Sequence, residues 1–181
     1  MEETTTTIIG IIVAIILMFI VPFILISERA DDISELVVQT ATAEFIDEII
    51  KSGKITEDKY QNFILQLADT GNTYDVEMEL KILDENTAKV LLASGEVELG
   101  NNTYYSIYTS QIEEMLGKSA NSDKNGEGKI LLKQGDGISI TIKNSSQTMS
   151  QSLKSFYSGT RGNNTQIIVA SASGTVAVNG N

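Results

Sequence analysis

The chain has 181 residues with 24 acidic and 13 basic side chains, a net charge of −11, and no His, Cys or Trp. That composition excludes the usual imidazole general bases, thiol nucleophiles and Cys/His zinc centres. The basic residues are scattered singly and form no stripe, which argues against a nucleic-acid partner.

In chain order, a seven-residue tail, 1–7, carries Glu2, Glu3 and four threonines. Residues 8–26 follow as nineteen positions without a charge, IIGIIVAIILMFIVPFILI. As a helix this run is about 28 Å long, close to the hydrocarbon thickness of a bilayer. It has no polar face, so it reads as a transmembrane helix in contact with the lipid bilayer. The start is acidic, the apolar run is long for a signal peptide, and Glu28 spoils a small-x-small exit. An uncleaved anchor is therefore expected. The single Arg29 beyond the span, read strictly, favours a cytoplasmic domain. The short tail, the lack of Cys and the Asn/Ser/Thr/Gly-rich remainder favour an extracytoplasmic one, as on a Gram-positive surface, and that placement is expected.

Residues 27–181 are expected to form the α+β domain, with 27–52 continuing from the span as an amphipathic helix. Ile33, Leu36, Val37, Ala41, Phe45 and Ile49 form its predicted inward stripe, widened by Ile46 and Ile50. Lys51 suits its last turn and Gly53 its end. Nothing between span and stripe breaks a helix, and Pro22 predicts a kink rather than a stop. Thr56-Glu57-Asp58 then signals the N-terminus of a second helix carrying Tyr60, Phe63, Ile64 and Leu67 and ending near Gly71.

The period then changes from 3.6 to 2. Tyr74, Val76, Met78, Leu80 and Ile82 alternate with Asp75, Glu77, Glu79 and Lys81, the pattern of a half-buried strand. Residues 87–99 and 103–109 read as extended pieces joined by a turn at Gly100-Asn101-Asn102, and 110–116 as a short helix. Residues 118–128 read as a polar loop. Residues 129–133 and 137–143 read as a hairpin across Gln134-Gly135-Asp136, 148–157 as a helix, and 166–172 and 175–178 as two strands around Ser173-Gly174. The sum is a long N-terminal helix packed on a mostly antiparallel sheet.

Three patterns bear on chemistry. The acid pairs Asp31/Asp32, Glu77/Glu79 and Glu113/Glu114 read as solvated faces. Ser152 and Lys154 lie two apart on a helix and do not face each other, so no Ser-Lys nucleophile is expected. Asp123, Asn125 and Glu127 occupy positions 1, 3 and 5 of a calcium-loop template with Gly at 6, but position 12 is Gln134 where a bidentate Glu belongs. They are the one candidate metal site, for weakly held calcium; otherwise no cofactor and no enzymatic activity are expected.

A long helix, apolar first and amphipathic second, with Pro22 about twenty residues in and an antiparallel sheet after it, resembles the type IV pilin architecture. The prepilin leader is not matched: Gly10 is followed by IIVAI, without the Glu that family carries five residues after its cut. The stretches DDISELVVQTATAEFIDEI, GKITEDKYQNFILQLADTGNTYDVEMEL and ASGTVAVNG resemble an uncharacterised family of clostridial and related Firmicute membrane proteins that occur with tight-adherence (Flp-type) pilus components. The resemblance implies a membrane-anchored accessory subunit whose partners are other pilus or secretion-system subunits. The reading from residues alone leaves open an anchored extracytoplasmic binding module that does not polymerise.

Overall fold

A computed structural model describes residues 2–83, 89–91, 97–99, 104–122, 128–158 and 167–180. In chain order the elements are α1 (Glu2–Ser52), β1 (Lys54–Thr56), α2 (Glu57–Ala68), β2 (Tyr74–Leu83), β3 (Lys89–Leu91), β4 (Val97–Leu99), β5 (Tyr104–Tyr108), α3 (Thr109–Ser122), β6 (Lys129–Leu131), β7 (Gly137–Asn144), α4 (Met149–Ser158) and β8 (Ile167–Thr175). The fold class is α+β: α1 packs against a four-stranded antiparallel sheet of order β5-β2-β7-β8.

Helix α1 is continuous over 51 residues and Pro22 lies inside it. Among the described residues it is the one helix long and apolar enough to cross a membrane. In its N-terminal half, residues 8–23 are exposed throughout. The C-terminal half is amphipathic: Val38, Ala41, Phe45, Ile46 and Ile49 are buried. Gly53 ends it with φ +64, its N–H donating to the Ile49 carbonyl at 2.8 Å. In this left-handed conformation Gly avoids the Cβ penalty of other residues.

Alternation along β2 is preserved in the sheet. Met78 faces Ile140 and Leu80 faces Ile138 across the β2–β7 ladder, while Ile140 and Ile142 face Ala172 and Ala170 of β8. These side chains form the inner face. Small residues on β8 let α1 approach closely, and Ile46 and Ile50 of the helix lie directly over Gly174. Helix α2 packs beside α1 by stacking Phe63 on Phe45, ring centroids 4.4 Å apart and nearly parallel. The Thr56 hydroxyl caps α2 by accepting from the Lys59 N–H at 3.4 Å. Ile112 and Leu116 of α3 complete the core with Ile55, Ile130 and Leu132. The C-terminal segment returns to α1: Ala177 N–H donates to the Ile50 carbonyl, and Gly180 N–H to the Leu132 carbonyl.

Five expectations are corrected. Ile33, Leu36 and Val37 are 55%, 63% and 42% exposed, so the inward stripe begins at Val38. The apolar face is wider than the sheet can cover, and the chain buries only its distal part. β6 pairs with β1, with Ile130 opposite Ile55, so it forms no hairpin with β7; β7 lies instead between β2 and β8. Buried Asp136 ties down the intervening turn, its carboxylate accepting the N–H groups of Lys133 at 2.7 Å and Leu83 at 2.9 Å. Helix α3 runs to Ser122 and takes in the first part of the expected polar loop. Residues 166–178 hold one strand rather than two, because Gly174 is an extended residue beneath Ile50 and not a turn. Among the described residues, 87–99 holds two strands, β3 and β4, that pair with each other, and β5 in 103–109 pairs with β2 and ends at Tyr108, where α3 follows.

Candidate functional site

Two surfaces stand out. The first is on α1. Beyond residue 26 a polar turn, 27–32, interrupts the apolar surface, and Ile33, Leu36 and Val37 then form a second exposed apolar ridge on the helix. They lie about 10–16 Å further along the helix than residue 26, above the hydrocarbon level that residues 8–26 would occupy. On the other side Ser27 is buried, its hydroxyl donating to the Phe23 carbonyl at 2.9 Å, and Asp31 and Ser34 are half-buried. The ridge and the side covered by the domain are thus separate faces of one helix.

The second is a cleft at the edge of the sheet. β2 has ten residues and β5 only five, so the two pair from Glu79–Tyr108 to Leu83–Tyr104 and no further. At Tyr108 the chain turns into α3, leaving the first half of β2 paired on one side only among the described residues. In an antiparallel strand successive residues turn their backbone groups to opposite sides. The Met78 N–H points to this open side, where it donates to the Thr109 hydroxyl at 2.7 Å. Val76 and Tyr74 share that direction. The Val76 carbonyl receives a long bond, 3.3 Å, from the same hydroxyl.

The cleft beside this edge has a volume of about 890 Å³, with α2 (Tyr60, Gln61, Ile64) and the start of α3 (Thr109, Ser110, Glu113) as walls. The Tyr60 hydroxyl donates to Glu113 at 2.7 Å and ties the two walls together. Burial, and then the neighbouring carboxylate, raise the Tyr60 phenol well above its ordinary value, so it stays a neutral donor. The lining includes four carboxylates, Asp75, Glu77, Glu79 and Glu113, and no Lys or Arg. Lys143 pairs with Glu77 from outside, and Ser106 donates to Glu79 at 2.7 Å.

The residues singled out in the sequence are placed as follows. Glu77 and Glu79 share the outer face of β2, as the alternation implies. Glu113 becomes the partner of Tyr60, which nothing in the sequence signalled. Ser152 is exposed in α4 and its backbone N–H closes the first turn on the Thr148 carbonyl at 3.0 Å. Asp123, Asn125 and Glu127 lie outside the described residues. Among the described residues no three acidic side chains are grouped to hold a metal ion. The open edge was missed, because the sequence does not tell which strand pairs with β2 or where that pairing stops.

No protein-family model matches the chain, and neither does any curated protein or solved structure. The architecture is pilin-like: a long N-terminal apolar helix followed by an antiparallel sheet. The apolar half makes that helix a candidate membrane span, and a span there would contact lipid.

Proposed function

We propose that the protein is a pilin-like, membrane-anchored accessory subunit of a surface pilus or related secretion system, with its domain on the outer side of the membrane. The ridge of Ile33, Leu36 and Val37 carries this reading. A helix that serves only as an anchor needs apolar surface as far as the bilayer extends, and here exposed apolar surface returns at residues 33–37, about two to three turns beyond the span and past the polar turn 27–32. Lipid does not reach that height, whereas the same helix of a neighbouring copy or a related subunit does. Covering three half-exposed aliphatic side chains is worth about 1 kcal/mol each, enough to bias association between helices already held parallel in a membrane.

The chain lacks cysteine, so the test is direct. Leu36→Cys and, as a control far from the ridge, Lys51→Cys are expressed in the native cells and treated with a thiol cross-linker. A cross-linked dimer from position 36 and none from position 51 is expected. Monomer alone from both positions would refute assembly through the ridge. Labelling of Gln147→Cys in intact cells by a membrane-impermeant maleimide tests the outer placement, and labelling only after lysis would refute it.

A second reading is supported by the cleft: an anchored binding module that does not polymerise. On that reading any apolar stretch of the same length replaces residues 8–26 without loss, and the ridge can be made polar freely.

A further inference from the structure

We infer that the open edge of β2, from Tyr74 to Met78, is a strand-addition site for an extended segment of another protein in which apolar and basic residues alternate. The inference stands independently of whether the protein polymerises.

The backbone supplies the first argument. Val76 and Tyr74 turn their backbone groups into a cleft and not toward a neighbouring strand. An unpaired edge is a template for another strand, and soluble proteins cover or blunt such edges unless they use them. The edge is not blunted here: it has no proline, no bulge and no Lys between Tyr74 and Met78. At its upper end the Thr109 hydroxyl occupies the Met78 N–H, which marks where an added strand would stop. The edge left open below it, from Tyr74 to the Val76 N–H, spans about 7 Å, room for two or three extended residues.

The side chains supply the second. Val76 and Met78 project to the inner side of the cleft, where Ile64 of α2 is half-buried beside them. Asp75 and Glu77 project to the outer side and are exposed. Side chains of an added strand alternate in the same way. Its inward residues would meet Ile64, Val76 and Met78, and its outward residues would meet Asp75 and Glu77. Apolar residues suit the first set and Lys or Arg the second, chiefly at Asp75, because Glu77 is already paired with Lys143. A second copy of this chain is the wrong occupant, because its own alternating strand is acidic at Asp75, Glu77 and Glu79 and would place like charges side by side.

The test uses the full chain in lipid nanodiscs and a fluorescently labelled heptapeptide of alternating valine and lysine, with a valine–glutamate peptide as counterpart. Saturable binding of the lysine peptide is expected by anisotropy, with the Val76 amide gaining hydrogen-exchange protection. Val76→Pro removes a donor that faces the cleft and not β7, and should weaken binding at least about tenfold. Asp75→Lys, at an exposed position, should weaken the lysine peptide and admit the glutamate peptide. The proposal is overturned if the lysine peptide does not bind below roughly millimolar concentration, or if it binds but neither substitution changes its affinity. It is equally overturned if the chain self-associates through this edge in a Val76→Pro-sensitive manner, which would assign the edge to a second copy.

Discussion

Two glycines with nearly the same backbone conformation should respond very differently to alanine. Gly53 and Gly71 have φ +64 and +79. Moving an L-residue into this region costs about 1–2 kcal/mol, partly offset by about 0.4–1 kcal/mol of lost freedom in the unfolded chain. At Gly71 a Cβ meets nothing within 4 Å, so Gly71→Ala should cost only the net strain, about 1 kcal/mol. At Gly53 the Cβ would come within 2.5 Å of the Gly180 nitrogen and 2.6 Å of the Val178 carbonyl oxygen, both backbone atoms that cannot rotate away. The C-terminal segment must then lift off. That breaks the Gly180 N–H to Leu132 carbonyl bond, 2.9 Å, and strains the Leu132 N–H to Gly53 carbonyl bond, 2.8 Å. At about 1 kcal/mol per bond, Gly53→Ala should cost about 3–4 kcal/mol. Urea unfolding in mild detergent, followed by far-ultraviolet circular dichroism, measures both against wild type. Gly180→Ala should share the loss, because its Cβ would strike the Gly53 carbonyl, and the double variant should be clearly less than additive. Equal costs at positions 53 and 71 would refute the claim that the C-terminal segment is locked onto the end of α1.

Other outcomes follow from the packing. Asp136→Ala should destabilise by about 2–4 kcal/mol, since it leaves the N–H groups of Leu83 and Lys133 without their buried acceptor; thermal unfolding reads this directly. Gly174→Val should cost about 1–3 kcal/mol by forcing Ile50 out of its position, whereas Ser173→Val on the outer face should be near neutral. Leu36→Ser should leave the unfolding midpoint within about 0.5 kcal/mol of wild type, because the side chain is largely exposed, while abolishing cross-linking from a neighbouring ridge position such as Ile33→Cys. For Tyr60 the raised phenol means that the folded state prefers the protonated form more strongly than the unfolded state does. Its contribution is therefore complete below the ordinary phenol value of about 10 and is lost as pH rises above it. Stability should fall less steeply above pH 10 in Tyr60→Phe than in wild type; identical slopes would refute the assignment.

Most of the architecture could be read from periodicity. The uninterrupted apolar run, the Thr56 cap, the Gly53 stop and the alternation of β2 each rest on local sequence, and each is found in the structure. The errors arose where a tertiary partner decides. Nothing local tells which third of an apolar stripe a sheet will cover, so Ile33, Leu36 and Val37 were assigned inward along with Phe45 and Ile49. Nothing local tells that β6 pairs with β1, some 75 residues earlier, and not with the strand that follows it. Ser173-Gly174 has the composition of a turn, and only the helix above it explains why a residue without a side chain sits in mid-strand. The cleft was invisible for the same reason: it exists because α3 begins at Thr109 and so ends β5 halfway along β2.

The position of β8 has a consequence for how the chain matures. The buried face of α1 rests mainly on β8, and Ala177 and Gly180 close the junction behind it, so α1 is completed by a strand more than a hundred residues further along. At a synthesis rate of about 5–20 residues per second, roughly 6–25 s separate Ile50 from Val176. Throughout that interval Ile46 and Ile50 lack the strand that covers them, and the long separation in sequence makes the closing step slow. The domain therefore cannot lock during its own synthesis, and it stays threadable until the final strand arrives. An open, unlocked chain of this kind is exposed to proteases for longer than a domain built from local contacts.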